Sequence, residues 1–110
     1  MTDRYRSALV YVQDLPCGIL AETENGYSFL YDQDYAESSD AISVSLTLPV
    51  SIEPYQSSVL FPFFDGLIPE GWLLQTLQRN WKLDLNDRFE LLLASCRDCI
   101  GDVYIEEITE

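Results

Sequence analysis

Asp65 and Glu70 are the two residues whose type and spacing could support acid–base chemistry, because they lie close together in the segment FPFFDGLIPEGW. The sequence contains no histidine and a single lysine, so it lacks the Ser–His–Asp and Cys–His sets of nucleophilic enzymes. It also lacks the glycine-rich motifs that cradle phosphate groups. A charge at a helix start explains Glu70, and a turn explains Asp65, more simply. We therefore predict that this chain has no catalytic residues and is not an enzyme.

The three cysteines raise metal or redox chemistry as a second option. Cys96 and Cys99 form one C-x-x-C pair, and Cys17 stands alone. A structural zinc site needs four ligands, usually two such pairs or cysteines together with histidines. A redox pair usually lies between a strand and a helix, whereas Cys96 ends a helical pattern. We predict free thiols, no metal site and no cofactor.

The charge pattern excludes one class of partner and favours another. The 110 residues carry 19 acidic and 6 basic side chains, a net charge of −13, and no Lys or Arg occurs between Ser7 and Gln78. Direct binding of nucleic acid depends on cations that neutralise phosphates, so we exclude it. A surface of this charge favours fast encounter with a basic partner, although a purely solubilising surface explains the same pattern. Both interpretations stay open at this point.

Length and hydropathy indicate a single domain over residues 1–110. A chain of this length can bury about two-thirds of its unfolded surface, and 47% of its residues are apolar. No apolar run reaches the roughly 18 residues of a membrane span, and the N-terminus has no apolar signal-peptide core. We predict a soluble, cytoplasmic protein that does not associate with membranes.

The sequence predicts five strands. They lie at 8–13, 17–23, 27–32, 43–49 and 103–108. The dipeptide Asn25-Gly26 is a strong signal for a hairpin between the second and third strands. In the fourth, Val44, Leu46 and Leu48 alternate with polar residues, which predicts a half-buried strand. Residues 50–58 are typical of a loop or a short edge segment.

The apolar residues change to a helical period in the second half of the chain. Residues 61–68 predict a short helical turn, and Pro69 suits the first position of a longer helix. A core-facing stripe follows at helical spacing: Leu73, Leu74, Leu77 and Trp81. Asn86 is predicted to cap a further helix. Its stripe consists of Phe89, Leu92, Leu93 and Cys96. The fold class is therefore α+β: a small, curled, barrel-like antiparallel sheet with two to three helices packed on one side.

Trp72 lies on the opposite side of the first long helix from its apolar stripe. At about 100° per residue, it falls about 150° from the centre of the stripe, beside Gln75 and Arg79. An exposed tryptophan at a helix start is suited to protein binding, because it supplies a large contact area at low entropic cost. Burial within the chain is the alternative. Three preceding residues could then cover the indole: Phe63, Phe64 and Leu67.

Three motifs, in this order, resemble the N-terminal subdomain of HipA-type serine/threonine kinases. They are SVSLTLP at 43–49, FPFFDGLIPEGW at 61–72 and RFELLLASCRDCIGDV at 88–103. The family has a similar S-L-x-L-P strand, an F-F-x-N-L-L-P-E-G segment and a helix that runs into R-D-C-x-G. The likeness covers residues 9–105. Asp65-Gly66 stands where the family usually has Asn-Leu, and Cys96 stands where glycine is common.

The resemblance implies a small sheet-and-helix domain that precedes a kinase core in the fused proteins. A free-standing copy is similar to HipS, the antitoxin of the three-component HipBST toxin–antitoxin systems. In such a system the domain would bind and inhibit HipT, a HipA-like kinase toxin, in a ternary complex with the DNA-binding protein HipB. The alternative is an assembly module that joins the kinase to HipB without inhibiting it. An acidic DNA mimic and a small enzyme are alternatives from other classes.

On this interpretation the kinase-binding residues lie in two adjacent stretches. They are Phe63, Phe64, Asp65, Gly66, Pro69, Glu70, Gly71, Trp72, Gln75 and Arg79. We expect Trp72 and the loop 63–71 to lie beside the phosphate-covering loop of HipT. There they would either occlude ATP or hold that loop in an unproductive position. The acidic residues between 7 and 78 would speed the encounter.

Overall fold

Five antiparallel strands form one open sheet in the computed structural model, which describes residues 5–79, 82, 84–95 and 103–108. The strands are β1 (Ser7–Val12), β2 (Leu15–Thr23), β3 (Gly26–Tyr31), β4 (Tyr55–Ser57) and β5 (Val103–Ile108). Their order is β4-β3-β2-β1-β5, and each neighbouring pair is antiparallel. The α+β class is confirmed, and β4 is the predicted short edge segment. Among the described residues the sheet ends at β4 and β5, so the predicted curled sheet is open and does not close into a barrel.

Two tight hairpins set the register of the first three strands. Gln13 and Asp14 connect β1 to β2, and both have positive φ angles, 51° and 69°, which suit the twist of a two-residue hairpin. The hairpin predicted at Asn25-Gly26 is confirmed, but its loop residues are Glu24 and Asn25, because Gly26 pairs with Thr23 as the first residue of β3. Gly26 has a φ of 148°, and a Cβ atom there would lie 2.1 Å from the carbonyl oxygen of Ser57. Only glycine fits at this position.

The core lies on one face of the sheet, and helices pack on that face. Inward-facing residues of the first three strands are buried: Ala8, Val10, Val12, Leu20, Phe29 and Tyr31. The helices are α1 (Gln33–Ala36), α2 (Pro62–Asp65), α3 (Glu70–Arg79) and α4 (Arg88–Ser95). Phe64 of α2 meets Phe29 at a ring-centroid distance of 5.3 Å, and Phe89 of α4 meets Tyr27 at 6.0 Å. These edge-to-face contacts place α2 and α4 on the inner face.

The opposite side of the sheet, which we call the outer face, carries an apolar row. Solvent-facing antiparallel sheets usually present polar residues there. Leu9 pairs with Ile19, and Ile19 pairs with Leu30, so three large side chains lie next to one another across β1, β2 and β3. Ile19 is 45% exposed and Leu30 is 44% exposed. On the same face, the rings of Tyr11 and Tyr104 stack with centroids 4.5 Å apart.

The segment SVSLTLP forms a tight turn, so the prediction of a strand there is wrong. It contains an isolated bridge between Ser45 and Leu48, in which the Leu48 amide donates to the Ser45 carbonyl at 3.1 Å. The hydroxyl of Tyr31 donates to the carbonyl of Leu48 and accepts from the amide of Val44 at 3.0 Å. Val44 and Leu48 are buried, whereas Leu46 at the tip is 100% exposed. The apolar residues alternate because both flanks of the turn reach the core.

The two long helices are confirmed, but α4 begins with a different cap. Asp87 takes this role instead of Asn86: its carbonyl accepts from the Leu91 amide at 3.2 Å, and its Oδ1 accepts from the Glu90 amide at 3.3 Å. An aspartate caps as well as an asparagine, so the sequence alone does not separate them. Four residues of α4 are buried, three of them as predicted: Phe89, Leu91, Leu92 and Leu93. Within the described ranges, no helix has both the length and the apolar composition to cross a bilayer.

Cys17 is a buried free thiol in β2, as predicted. Burial raises the pKa of its thiol to about 12, so the thiol stays protonated at neutral pH. The predictions for Cys96, Cys99 and Trp81 concern positions outside the described residues.

Arg6 joins the sheet to α4 through a network of carboxylates. Its guanidinium donates to Glu22 of β2 at 2.7 and 2.8 Å and to Asp87 at 2.8 and 3.2 Å. Glu90 accepts a further hydrogen bond at 3.2 Å, and the guanidinium carbon lies 5.4 Å from the centre of the Phe89 ring. These hydrogen bonds lower the pKa of Glu22 and of Asp87 and raise the pKa of Arg6. The network therefore stabilises the fold in its ionised form.

Candidate partner-binding surface

The predicted site begins at α2, a four-residue helix packed into the core. Pro62 occupies its first position, where the missing amide hydrogen leaves no unpaired donor. Phe64 is fully buried among Phe29, Phe61 and Phe63, at ring-centroid distances of 5.2 to 6.2 Å. Phe64 therefore supports this surface from the core, which corrects its assignment as a contact residue. Phe63 is half-buried and keeps part of its ring accessible.

Asp65 is tied to the fold by an ion pair. Its Oδ1 accepts from the Nε of Arg88 at 2.6 Å, a contact that joins the end of α2 to the start of α4. The interpretation of Asp65 as a turn residue missed this partner, because Arg88 lies 23 positions further along the chain. A carboxylate already held by a guanidinium is less available to another protein than an unpaired one.

Gly66 and the residues after it turn the chain from α2 towards α3. The Gly66 amide donates to the Pro62 carbonyl at 2.9 Å, and the Leu67 amide donates to the Phe64 carbonyl at 3.0 Å. A Cβ atom at Gly66 would lie 3.2 Å from that Pro62 oxygen, which leaves little room for a side chain. Ile68 is buried and anchors the turn. Gly66 therefore has a backbone role in this turn, and its predicted contact with a partner stays a prediction.

The start of α3 is exposed. The helix follows Pro69, whose carbonyl accepts from the Leu73 amide at 3.0 Å. Pro69, Glu70 and Gly71 all face solvent, and Glu70 complements the positive end of the helix. A Cβ atom at Gly71 would meet no atom within 4 Å, so this position faces open space. The first turn thus presents a proline, a carboxylate and a bare backbone to the outside.

Trp72 is half-buried and packs against the core cluster, so the prediction that it points away from the core is wrong. Leu73 packs against the same cluster. A first-turn residue can pack sideways against neighbouring segments, which an angle on a helical wheel does not describe. Of the two alternatives for Trp72, burial within the chain therefore fits the structure better than full exposure. Trp72 is only half-buried, so part of it stays accessible.

The rest of α3 leaves apolar area uncovered. None of its ten residues is fully buried, and Leu74, predicted to face the core, is 63% exposed. The outward stripe recurs at i, i+3, i+4 and i+7: Gly71, Leu74, Gln75 and Gln78. Arg79 is exposed next to it. We call the following residues the α2–α3 surface: Phe63, Pro69, Glu70, Gly71, Trp72, Leu74, Gln75 and Arg79.

Leu46 is an exposed leucine outside the α2–α3 surface, which the sequence interpretation placed on a buried face. The turn that carries it is fixed by the Tyr31 hydroxyl and by Ser45, whose Oγ accepts from the Thr47 amide at 3.2 Å. Serine and threonine that bond to nearby backbone favour turns over strands. Ser45 and Thr47 were thus the signal that could have placed Leu46 at an exposed tip.

A known family of proteins matches most of the chain. The model of the family described as the HipA N-terminal domain matches residues 8–106. Because this match covers most of the chain, the chain belongs to the HipA N-terminal domain family.

Two individual proteins are similar to the chain over nearly its whole length. A solved structure described as the N-terminal domain of HipA toxin superposes with a TM-score of 0.78 and 32% sequence identity, over 100% of this chain and 99% of that one. An uncharacterized protein of Haemophilus influenzae is 36% identical over 107 residues, which is 97% of each chain. The resemblance drawn from the three motifs is confirmed at the level of the domain.

Proposed function

We propose that this chain is an antitoxin that binds and inhibits a HipA-like serine/threonine kinase of the HipT type. Contact is made through the α2–α3 surface, and the chain itself does no chemistry. Inhibition then requires only that the surface occupies a position the kinase needs for its own reaction. A HipB-like DNA-binding protein completes the complex, as in the three-component systems that the motifs resemble.

The observation that carries this proposal is the incomplete burial of α3. An amphipathic helix in a small domain normally buries one stripe, yet α3 buries no residue completely. Its outward stripe combines Leu74, an exposed apolar side chain, with Gly71, where a partner can approach the backbone closely. Helices of this kind are suited to lie in a groove of another protein.

Charge supports a kinase as the partner. A kinase nucleotide cleft is electropositive, because it must hold a triphosphate and its metal ions. No Lys or Arg lies between Ser7 and Gln78, so the α2–α3 surface carries only acidic charge before Arg79. Opposite charges on the two proteins accelerate the encounter and favour one orientation.

Two inhibitory geometries fit this surface. The start of α3 either occludes ATP or holds the phosphate-covering loop of the kinase in an unproductive position. In both, Trp72 acts mainly as a positioning residue, because its packing against the core fixes the direction of the first turn. Gly71 and Leu74 then make the closest contacts, and Glu70 faces the positive groups of the cleft.

The test measures binding and inhibition of a purified HipT-type kinase by the full chain. Calorimetry gives Kd, and autophosphorylation gives the degree of inhibition. We expect Leu74→Ser to weaken binding at least tenfold, which corresponds to about 1.4 kcal/mol, because it removes an exposed apolar anchor. Gly71→Gln should weaken binding similarly while leaving the fold intact, since the new side chain enters open space in the free protein.

Matched controls separate loss of contact from loss of fold. Leu46→Ser also removes an exposed leucine, but from a turn outside the α2–α3 surface, and should leave Kd within about twofold. Trp72→Ala should reduce stability and binding together, because Trp72 packs against the core. The surface is misassigned if Leu74→Ser and Gly71→Gln both inhibit as well as the wild type. The function is misassigned if the wild-type chain does not bind such a kinase at micromolar concentration.

The assembly module is a second candidate, favoured by the exposed apolar row on the outer face of the sheet. A domain with apolar surface on two sides can hold two proteins at once. Kinase assays without the HipB-like protein distinguish the candidates. An antitoxin inhibits the kinase alone, whereas an assembly module changes kinase activity only when the DNA-binding protein is present.

A further inference from the structure

The apolar row on the outer face continues into a groove of about 410 Å³. Leu9, Ile19 and Leu30 form its floor, and Ile52 from the loop before β4 closes one side. Ile52 is 68% exposed, so the wall of the groove is apolar and more accessible than its floor. Asp32 lies at the β3 end of the groove. Such a groove has room for large side chains from another molecule.

We propose that the outer face is a second docking surface, and that its occupant is a basic protein segment that inserts large apolar side chains into the groove. The surface is separate from the α2–α3 surface, because α2 packs through Phe64 on the inner face of the sheet. The proposal therefore does not depend on the binding of a kinase.

Charge identifies the chemistry of the occupant. Glu106 of β5 pairs with Leu9, so the row ends in a carboxylate on that side. Asp32, two residues beyond Leu30, lines the groove near the other end of the row, and one of its oxygens also accepts from the Tyr35 amide at 3.1 Å. The row from Glu106 to Leu30 crosses three strand spacings of about 4.8 Å each, which is about 14 Å. None of the five strands of the sheet contains Lys or Arg. The complementary segment therefore carries apolar side chains between two lysines or arginines.

A second copy of this chain fits this surface poorly. A symmetric contact would bring the same face of both copies together, and with it the carboxylates of Glu106 and Asp32 from each copy. Each copy also carries a net charge of −13, so approach would be opposed at low ionic strength.

A pair of synthetic helical peptides tests the proposal with the full-length chain. Both have an identical leucine stripe, which is flanked by lysines in one and by glutamates in the other. We expect the lysine peptide to bind at least tenfold more tightly than the glutamate peptide. In methyl NMR spectra, shift changes on binding should concentrate on four residues: Leu9, Ile19, Leu30 and Ile52.

Variants with equal charge changes show whether binding depends on the outer face. Leu30→Lys and Ile52→Lys should each weaken binding of the lysine peptide at least fivefold. Leu74→Lys changes the net charge equally but lies on the α2–α3 surface, so it should leave that affinity unchanged. Ile52 lies in a loop and is largely exposed, so its variant keeps the experiment informative if Leu30→Lys does not fold.

Three results would overturn the proposal. They are equal affinity for the two peptides, shift changes centred on the α2–α3 surface, and a concentration-dependent dimer that Ile52→Lys abolishes. The last result would assign the face to self-association. Failure of the chain to bind a kinase would leave all the peptide measurements unaffected, so the two proposals are tested separately.

Discussion

The hydroxyl of Tyr31 fixes the turn that carries Leu46. It accepts from the Val44 amide at 3.0 Å and donates to the Leu48 carbonyl, and the ring itself is buried. Burial raises the pKa of this hydroxyl to about 12, so it remains protonated and able to donate at any physiological pH. A single side chain thus satisfies two backbone groups of a segment that belongs to no strand.

Removal of that hydroxyl should be costly. We predict that Tyr31→Phe lowers the free energy of unfolding by about 2–3 kcal/mol, because a buried amide and a buried carbonyl lose their partner. Urea unfolding measures the change. Tyr55→Phe is the matched control, since its hydroxyl donates to the exposed carbonyl of Pro49 at 2.6 Å and water can replace it. Equal losses in the two variants would contradict the role given to Tyr31.

At the scale of single elements, the β1–β2 hairpin holds two residues in a costly conformation. Gln13 and Asp14 both have positive φ, and the left-handed region is unfavourable for a residue such as glutamine. We predict that Gln13→Asn together with Asp14→Gly raises the free energy of unfolding by about 0.5–1 kcal/mol, because Asn-Gly prefers this turn. Thermal unfolding measures the gain. The reverse effect would show that the wild-type side chains contribute stabilising contacts that outweigh the strain.

Most strands and the second hairpin could be predicted because their signals are local. The predictions for β1, β2, β3 and β5 agree with the structure to within a few residues, and Asn25-Gly26 indicated the second hairpin. SVSLTLP alternates most clearly, yet its conformation depends on Tyr31, which is distant in sequence. Alternation cannot distinguish a half-buried strand from a turn whose two flanks are buried.

The helices show the same limit. The stripe of α4 was predicted well, because that helix packs into the core along most of its length. The stripe of α3 was predicted poorly, since Leu74 is exposed and Trp72 packs inward. A helical pattern defines which residues share a face, but not whether another part of the chain covers that face. The Asp65–Arg88 and Arg6 ion pairs join distant positions and had no local signal.

At the scale of the whole molecule, acid should weaken the contact between the sheet and α4. The pKa values of Glu22 and Asp87 lie below their ordinary values of 4.5 and 3.8 when the protein is folded. The stabilisation from their bonds to Arg6 is therefore complete above those ordinary values and is lost as the pH falls through the lower folded values. We predict a fall in the free energy of unfolding below about pH 4.

The variant Arg6→Gln should show how much of the acid-induced fall in the free energy of unfolding comes from the bonds between Arg6 and its carboxylates. At pH 7 we expect a loss of about 1–3 kcal/mol, and below pH 4 the difference from the wild type should shrink. Chemical unfolding across a pH series measures both quantities. Arg79→Gln removes the same charge from the exposed end of α3 and should change stability by less than about 0.5 kcal/mol. A pH-independent loss in Arg6→Gln would point to packing on Phe89 instead of ion pairing.

The two exposed apolar surfaces lie on opposite sides of the sheet. The α2–α3 surface belongs to helices on the inner face, and the apolar row belongs to the outer face. Partners at these two positions would not compete for the same residues. Leu74→Ser should therefore weaken only binding at the α2–α3 surface, and Ile52→Lys only binding at the outer face. In the double variant, each of the two affinities should equal that of the corresponding single variant.

Alkylation of Cys17 can measure local unfolding of the sheet. The thiolate is the reactive form, and a fully buried thiol with a pKa of about 12 forms almost no thiolate while the sheet is folded. Iodoacetamide should therefore modify Cys17 at least a thousandfold more slowly in the native protein than in urea, and peptide mass mapping would isolate this position. Its labelling rate reports transient exposure of β2 at the centre of the sheet, with no added dye or mutation.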